Sequence, residues 1–432
     1  MKVLVVGGGG REHALVRRIA ASPLVDAVHA APGNPGIAAE PKARCHPIGV
    51  DALDALVALA RDLEIDLTVV GPEAPLVAGL VDRFVAAGLP ILGPTAAAAA
   101  LEGSKAFAKE VMLAAGVPTA EAQVFTALAP ALAALAAWPE PQVVVKADGL
   151  AAGKGVVVAS DHAEAEAALR GLFEGRLGDA GARVLLERFL VGDEVSVIGL
   201  CDGERAVLLP AAQDHKRIGE GDTGPNTGGM GTYAPAPVLD AVGLAEVQRR
   251  VFEPVLAEMS RRGTPFRGFL FAGLMVGPAG LQVLVFNTRL GDPVTQVMLA
   301  LLAEDPVPAF RAAATGSLGA TTLAALPSTH AACVVMAAQG YPDAPRKGDT
   351  LTLPEDPGGA VILHAGTRRD ADGTLRTDGG RVLGVTATGE TLEAALATCY
   401  ATCARVRFDG RQYRRDIGHR ALGGRAVGST PP

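Results

Sequence analysis

Lys2-Val3-Leu4-Val5-Val6-Gly7-Gly8-Gly9-Gly10-Arg11-Glu12-His13-Ala14 sets four aliphatic residues in a row, then four glycines, then the start of a helical period. That order, strand into glycine turn into helix, opens a βαβ unit. The pattern continues through a strand at Ala27 to Ala31, a helix from Asp51 to Leu63, a strand at Leu67 to Val70, a helix from Leu76 to Ala87 and a strand at Pro90 to Leu92. A parallel, doubly wound sheet is expected. Ligands on such sheets bind beyond the carboxyl ends of the strands. Here those ends carry Gly7 to Glu12, Pro32 to Gly36, Gly71 to Pro75 and Gly93 to Thr95, all on one rim. A dinucleotide fingerprint fails, because Gly-x-Gly-x-x-Gly counted from Gly7 ends on Glu12 and counted from Gly8 ends on His13. The amides at the helix start, with Arg11 beside them, still suit a single phosphate.

The chain is 432 residues long, which at roughly 100 to 200 residues per domain predicts two to four domains. Its hydrophobic fraction of 49% is enough to fill them. The 39 basic and 46 acidic residues leave a net charge of -7, which gives no electrostatic case for nucleic acid or an anionic membrane as partner. No apolar run reaches the roughly 18 residues of a membrane span, and the first residues read as a strand, not a signal peptide; a cytoplasmic protein is expected. Five cysteines form no Cys-x-x-Cys pair, and Cys399 and Cys403 share a helix face as buried thiols.

From Gly103 the pattern changes. A helix over Ser104 to Ala115 is followed by strands near Gln123 to Phe125 and Gln142 to Lys146, a glycine loop, a further strand, and a helix over His162 to Phe173. Strands at Val184 to Glu187, Glu194 to Leu200 and Ala206 to Leu209 lead to a polar loop, Gln213 to Thr232. A long helix from Leu239 to Arg262 and the strand pair Gly268 to Val276 and Leu281 to Phe286 come next. Pro306 to Pro327 reads as the passage into a β-rich unit with strands at Ala332 to Ala338, Ala360 to Ala365 and Val382 to Ala387 and a last helix over Leu392 to Val406.

Four clusters carry candidate chemistry. The loop from Gln213 to Thr232 combines glycines, which allow close backbone approach to a ligand, with Lys216 and Arg217 as cations and Asp214 and Asp222 as acceptors. Lys146 to Gly155 fails the Walker pattern in spacing and in its last residue; Gly149, Gly153 and Gly155 instead read as a hairpin flap whose amides can close over phosphates. Lys105 and Lys146 could each place an ammonium on a nucleotide phosphate. Leu186 to Glu194 reads as a hinge whose backbone could read a base, with Glu194 available for ribose hydroxyls. In Val285 to Gln296, Asn287 offers a carbonyl oxygen to a hard cation, Arg289 can pair with a carboxylate or phosphate, and Asp292 is either a ligand group or an ordinary helix N-cap.

Taken together, these residues closely resemble the phosphoribosylamine-glycine ligase family, the glycinamide ribonucleotide synthetases of the ATP-grasp superfamily. The match runs nearly end to end through Val6 to Ala14, Ala31 to Gly36, Val70 to Pro75, Gly103 to Lys109, Lys146 to Val156, Gln213 to Gly231, Phe286 to Gln296, His364 to Arg368, Gly379 to Ala387 and Tyr413 to Gly418. The resemblance implies an α/β and α+β multidomain chain. Its parts would be a doubly wound domain over 1–102, an ATP-grasp domain over 103–316 (a small lobe with the flap at about 120–190 and a large lobe at about 191–316) and a β-rich domain over 325–426. It implies that ATP phosphorylates glycine and that 5-phosphoribosylamine attacks the glycyl phosphate, giving glycinamide ribonucleotide, ADP and phosphate in purine biosynthesis. Carried over residue by residue, Asp214, Lys216, Arg289 and Asp292 would be catalytic. Lys105, Lys146, Gly149, Gly153, Lys154, Gly155, Glu187, Phe189 and Glu194 would bind ATP. Gly9, Gly10, Arg11, Glu12, Asn34, Pro72, Glu73, Asn226, Thr227, Gly228, Gly229 and Met230 would hold the sugar phosphate and glycine, and Asn287 would bind Mg²⁺ or Mn²⁺. A monomer is the family expectation.

Two positions depart from the family pattern. The family has Glu, a metal ligand, before Phe-Asn, where this chain has Val285; it has Glu after Gly-Asp-Pro, where this chain has Val294. A hydrocarbon cannot ligate Mg²⁺. An active ligase is expected, its metal shell completed by Asn287, phosphate oxygens and water; the alternative is a homologue that binds nucleotide or sugar phosphate but turns over poorly.

Overall fold

The computed structural model describes residues 1–151 and 155–423. Strands Ala43–Cys45, Ala27–Pro32, Lys2–Gly7, Leu67–Val70 and Ile91–Leu92 lie side by side in that order, every pair parallel. Alternate residues of the first strand serve opposite faces. Val3 and Val5 pack with Leu15 and Ile19 of helix Gly10–Ala20; Leu4 and Val6 pack with Leu56, Leu80 and Phe84 on the other side. Two covered faces explain why the strand is aliphatic throughout. The helix expected over Leu76 to Ala87 is two helices, Glu73–Val77 and Leu80–Ala86, because Gly79 takes a left-handed φ of +85° between them and interrupts the helical run.

An antiparallel sheet follows, ordered Ala122–Phe125, Val184–Arg188, Val143–Ala147, Val156–Ala159, and covered by helices Leu128–Ala136 and His162–Phe173. A second antiparallel sheet, Ala206–Leu208, Asp193–Asp202, Arg267–Gly277 and Gly280–Asn287, backs onto helices Lys105–Ala114 and Glu253–Arg261. The expected helix from Leu239 to Arg262 is a continuous run, Ala241–Val247 and Glu253–Arg261 joined through a π-helical turn at Gln248–Phe252. The expected passage at Pro306 to Pro327 holds a helix of its own, Val307–Thr315.

The polar stretch from Gln213 is not a plain loop. Gln213–Asp214 pairs with Gly231–Ala234, and Gly231–Ala234 pairs with His330–Ala337 of the sheet that continues through Arg381–Gly389 and Val361–His364. Between those flanks, Arg217–Gly219 and Thr223–Asn226 make a small hairpin. The stretch is therefore rooted in the last sheet, under helix Leu392–Arg405, while its first residue is also tied to the preceding sheet through Gln213 Nε2 and the Glu194 carbonyl at 3.0 Å. The five cysteines are free, and Cys399 and Cys403 are buried in this core.

Candidate active site

The N-terminal rim is built around one buried carboxylate. Glu12 accepts from the Gly9 amide at 2.6 Å and from Arg11 Nε at 2.5 Å, so both of its oxygens brace the glycine turn instead of facing a ligand. A Cβ at Gly71 would stand 2.0 Å from Glu12 Oε1, so this glycine is what admits the carboxylate. Arg11 reaches across to the carbonyl of Leu290 at 2.8 Å. Burial works against its charge, but Glu12, Asp292 and Glu73 outweigh that and hold its pKa above the usual arginine value. Asn34 is also fully committed inside the protein: Nδ2 donates to the Gly8 and His364 carbonyls, and Oδ1 accepts from the Gly36 and Ile37 amides, all at 2.9 Å. Its side chain shapes the rim and has no bonding position left for a substrate. Gly10 starts the helix behind Gly9, and Pro72 is the N-cap position of Glu73–Val77.

Arg289 joins the rim to the next element. It bonds Glu73 Oε2 at 3.2 Å and Glu102 Oε1 at 3.0 Å. Burial tends to raise the Glu73 pKa, and the charges of Arg289 and Arg11 bring it below the ordinary value. Glu102, at the end of helix Ala96–Gly103, also accepts from Asn287 Nδ2 at 2.9 Å, the Thr288 amide at 2.7 Å and Thr288 Oγ1 at 3.2 Å. This fixes the Asn287 amide with its nitrogen on Glu102 and leaves Oδ1 for a ligand. Glu102 escaped the motif reading; its one sequence signal is a lone carboxylate ending the apolar run Ala96 to Leu101.

Asp292 is not an N-cap. Helix Val294–Ala300 is capped at Pro293 without a side-chain bond, and the Asp292 carboxylate instead pairs with Arg381 NH2 at 3.0 Å and Gln296 Nε2 at 2.6 Å. Burial alone would raise its pKa, but Arg381, Arg11 and Arg289 bring it below the ordinary value, so it is ionised at neutral pH.

On the flap side, Lys146 Nζ sits 2.6 Å from Glu187 and 3.0 Å from the Leu284 carbonyl. Lys109, which ends the Gly103 to Lys109 motif but has no role assigned there, shares the same carboxylate at 3.4 Å and bonds Thr119 and the Ala120 carbonyl. Glu187 is thus the buried counter-ion of two ammonium groups. Lys105 Nζ donates to the Gly149 carbonyl at 3.0 Å, and burial followed by repulsion from Lys146 lowers its pKa. Asp148 ties the base of the flap to the helix: it accepts from Ser104 Oγ, from the Ala106 amide at 2.7 Å and from Arg183 Nε at 2.8 Å. Gly155 closes the hairpin through a 2.7 Å bond from the Ala147 amide; Gly153 and Lys154 lie outside the described residues. Phe189 is half-buried in the link between the two four-stranded sheets.

Glu194 pairs with Lys216, which also reaches Asp214 at 3.3 Å. Burial would lower the Lys216 pKa, yet Asp214 and Glu194 together push it up, so this side chain is a fixed cation and no base at neutral pH. The turn beyond the small hairpin is held at every residue. Thr227 donates twice to the Lys216 carbonyl at 2.8 Å, the Gly228 amide donates to Tyr341 Oη at 3.0 Å, and the Gly229 amide donates to Thr227 Oγ1 at 3.0 Å. Gly229 has φ +115°, and a Cβ there would meet Pro293 Cδ at 2.5 Å. Asn226 is exposed, whereas the Met230 side chain is fully buried. From the C-terminal segment, Arg414 donates to Asp222 Oδ1 at 2.8 Å and to the Arg217 carbonyl at 3.1 Å. Arg420 donates to Asp222 Oδ2 at 2.7 Å.

For a divalent cation the residues offer little. Asn287 Oδ1 is free, Val285 two residues earlier on the same strand face is hydrocarbon, and among the described residues no group of three or more His, Cys, Asp or Glu could hold a metal.

Family models match the chain in three consecutive segments: the phosphoribosylglycinamide synthetase N domain over residues 1–102, its ATP-grasp (A) domain over 103–295 and its C domain over 331–420. The phosphoribosylamine–glycine ligase of Phenylobacterium zucineum is 50% identical over 98% of this chain and 100% of its own length. That of Xanthomonas axonopodis pv. citri is 50% identical over 98% of each. The crystal structure of the Thermotoga maritima phosphoribosylamine–glycine ligase superposes with a TM-score of 0.85 at 35% identity, covering 96% of this chain and 100% of that one. The biotin carboxylase domain of the Hydrogenobacter thermophilus 2-oxoglutarate carboxylase, solved with MgADP, shares the fold at a TM-score of 0.72 and 17% identity, covering 95% and 91%.

Proposed function

Because the chain belongs to the phosphoribosylglycinamide synthetase family, we propose that it ligates glycine to 5-phosphoribosylamine with ATP, yielding glycinamide ribonucleotide, ADP and phosphate. The observation that carries this reading is the intact loop from Gln213 to Thr232, held against the Arg289 and Asp292 cluster at the rim of the first sheet. The reaction forms an amide from a carboxylate, which is a poor electrophile. Transfer of the γ-phosphoryl group to a glycine carboxylate oxygen breaks the bond to ADP and creates the leaving group. Attack by the phosphoribosyl amine then forms the C–N bond and expels phosphate, with loss of one proton from nitrogen.

The chain's own groups serve these steps by charge and position. Lys105 and Lys146 stand where flap and helix meet and would neutralise phosphate charge; an anion between them would offset the repulsion that Lys146 exerts on Lys105. Gly149 and Gly155 bring backbone to the same place, and closure of the flap would keep water from the acyl phosphate. Glu194 would bind the ribose of ATP, and its pairing with Lys216 would link nucleotide occupancy to the substrate loop. Arg11, Arg289 and Lys216 would hold the sugar phosphate and glycine carboxylate, with Asn226 to Gly229 as the turn around them and Asp292 as the fixed anion that orients their cations. Asn287 Oδ1 would be the protein oxygen that holds Mg²⁺ or Mn²⁺, which would supply charge neutralisation at the nucleotide phosphates. We place the enzyme in the cytoplasm as a monomer acting on small molecules, with neither nucleic acid nor membrane as partner; among the described residues no helix is long and apolar enough to cross a membrane.

A coupled ADP-release assay with glycine and phosphoribosylamine generated in situ, across a Mg²⁺ titration, tests the proposal. Turnover dependent on both co-substrates is expected. Nucleotide binding without ADP release at any Mg²⁺ concentration would overturn it and leave a binding protein without ligase activity.

A further inference from the structure

Arg381 belongs to a stretch, Gly379 to Ala387, to which the reaction assigns nothing. It opens strand Arg381–Gly389 opposite Ala337, where the register of the pairing shifts. Such a bulge re-aims a side chain out of the regular alternation. Here it sends the guanidinium across to two separate bodies. NH1 donates to the carbonyls of Gly228 at 2.6 Å and Asp292 at 2.7 Å, and NH2 donates to Asp292 Oδ2 at 3.0 Å. The turn lies flat on it: a Cβ at Gly228 would stand 2.8 Å from Arg381 Cζ.

We propose that Arg381 is a positioning residue for the sugar-phosphate substrate, clamping the Asn226–Met230 turn onto the Asp292 cluster from the C-terminal sheet. The inference rests on the reading of that turn as part of the sugar-phosphate site. Three acceptors on two chain segments need a planar fork with several donors, which lysine lacks. Without the clamp, the Thr227 and Tyr341 bonds still tether the turn but no longer fix it to Asp292. Apparent affinity falls in proportion to the fraction of molecules holding the competent arrangement, so a drop in that fraction to about one-tenth raises KM about tenfold.

The stable product, glycinamide ribonucleotide, provides the test in the reverse reaction with ADP and phosphate. Arg381→Lys and Arg381→Ala should raise KM for glycinamide ribonucleotide by about tenfold or more, leave KM for ADP within about twofold, and keep the unfolding transition of the full chain. Added guanidinium or methylguanidinium ion should recover part of the Arg381→Ala loss. Asn226→Ala is measured in parallel. If Asn226→Ala raises the sugar-phosphate KM and both Arg381 variants leave it unchanged, the clamp is refuted while the loop reading stands. If none of the three changes it, the turn does not hold the sugar phosphate and both fall. A loss in kcat alone, without rescue, also refutes the clamp.

Discussion

Glu102→Gln isolates the device that orients Asn287. In the native site, Oε2 of Glu102 accepts from the Thr288 amide and hydroxyl, and Oε1 accepts from Asn287 Nδ2 and Arg289 NH2. Glutamine has the same shape but only one accepting oxygen. If that oxygen stays on Thr288, the new amide nitrogen faces two donors. Hydrogen bonds to a charged partner contribute about 1.5–3 kcal/mol each, and two are lost. Arg289 keeps Glu73, so its loss lies at the low end, and Asn287 can repair its own by turning its amide over. A net destabilisation of about 2–4 kcal/mol follows. The repair has a functional price: turning the Asn287 amide points Oδ1 at the new glutamine and its nitrogen at the nucleotide phosphates. The Mg²⁺ concentration for half-maximal ADP release should therefore rise about 10–100-fold, the usual cost of losing a ligand's orienting partner. Urea denaturation reads the first effect and a Mg²⁺ titration of ADP release the second. Asn287→Ala should reproduce the Mg²⁺ shift without the same loss of stability. Wild-type values for both quantities in Glu102→Gln would refute the assignment of the Asn287 amide and its role.

Val285→Glu places a carboxylate on the same strand face as Asn287 and should raise turnover at limiting Mg²⁺, with a smaller gain at saturation; an unchanged titration in the coupled assay would show that this position does not face the metal. Glu187→Gln leaves the buried ammoniums of Lys146 and Lys109 without their counter-ion and should cost about 3–5 kcal/mol in denaturation experiments, with weakened ATP binding by calorimetry. His215 is buried, and burial with the charges of Arg414, Arg420 and His419 against it lowers its pKa to about 3, with Asp222 opposing. Since an unfolded histidine titrates near about 6.5, the unfolded chain binds the extra proton between those values, and stability falls as pH drops from about 6.5 toward about 3. His215→Gln should flatten that limb of the stability–pH curve; an unchanged slope would show that His215 is not the group responsible.

Local sequence was enough for the parallel sheet and the last helix, because a run such as Val3 to Val6 can only be buried on both faces and Thr391 caps the helix that follows it. It failed where neighbours decide: at Gly79, whose left-handed backbone splits one periodic stretch into two helices, and from Gln213 to Thr232, whose closing strand Gly231–Ala234 finds a partner about a hundred residues later. The glycine and lysine motifs named a nucleotide and a sugar-phosphate site, since only particular residue types approach phosphate closely. They could not say which polar groups are free. Asn34, Glu12 and Glu187 share motifs with ligand-facing residues, yet their bonds are spent inside the protein. Glu102 and Arg381 carry weak local signals and become central only when distant segments meet. Sequence by itself determined the fold class, the family and the two losses at Val285 and Val294. The tertiary structure decided which side chains orient and which remain open, because a polar group's availability depends on its partners, and those come from elsewhere in the chain.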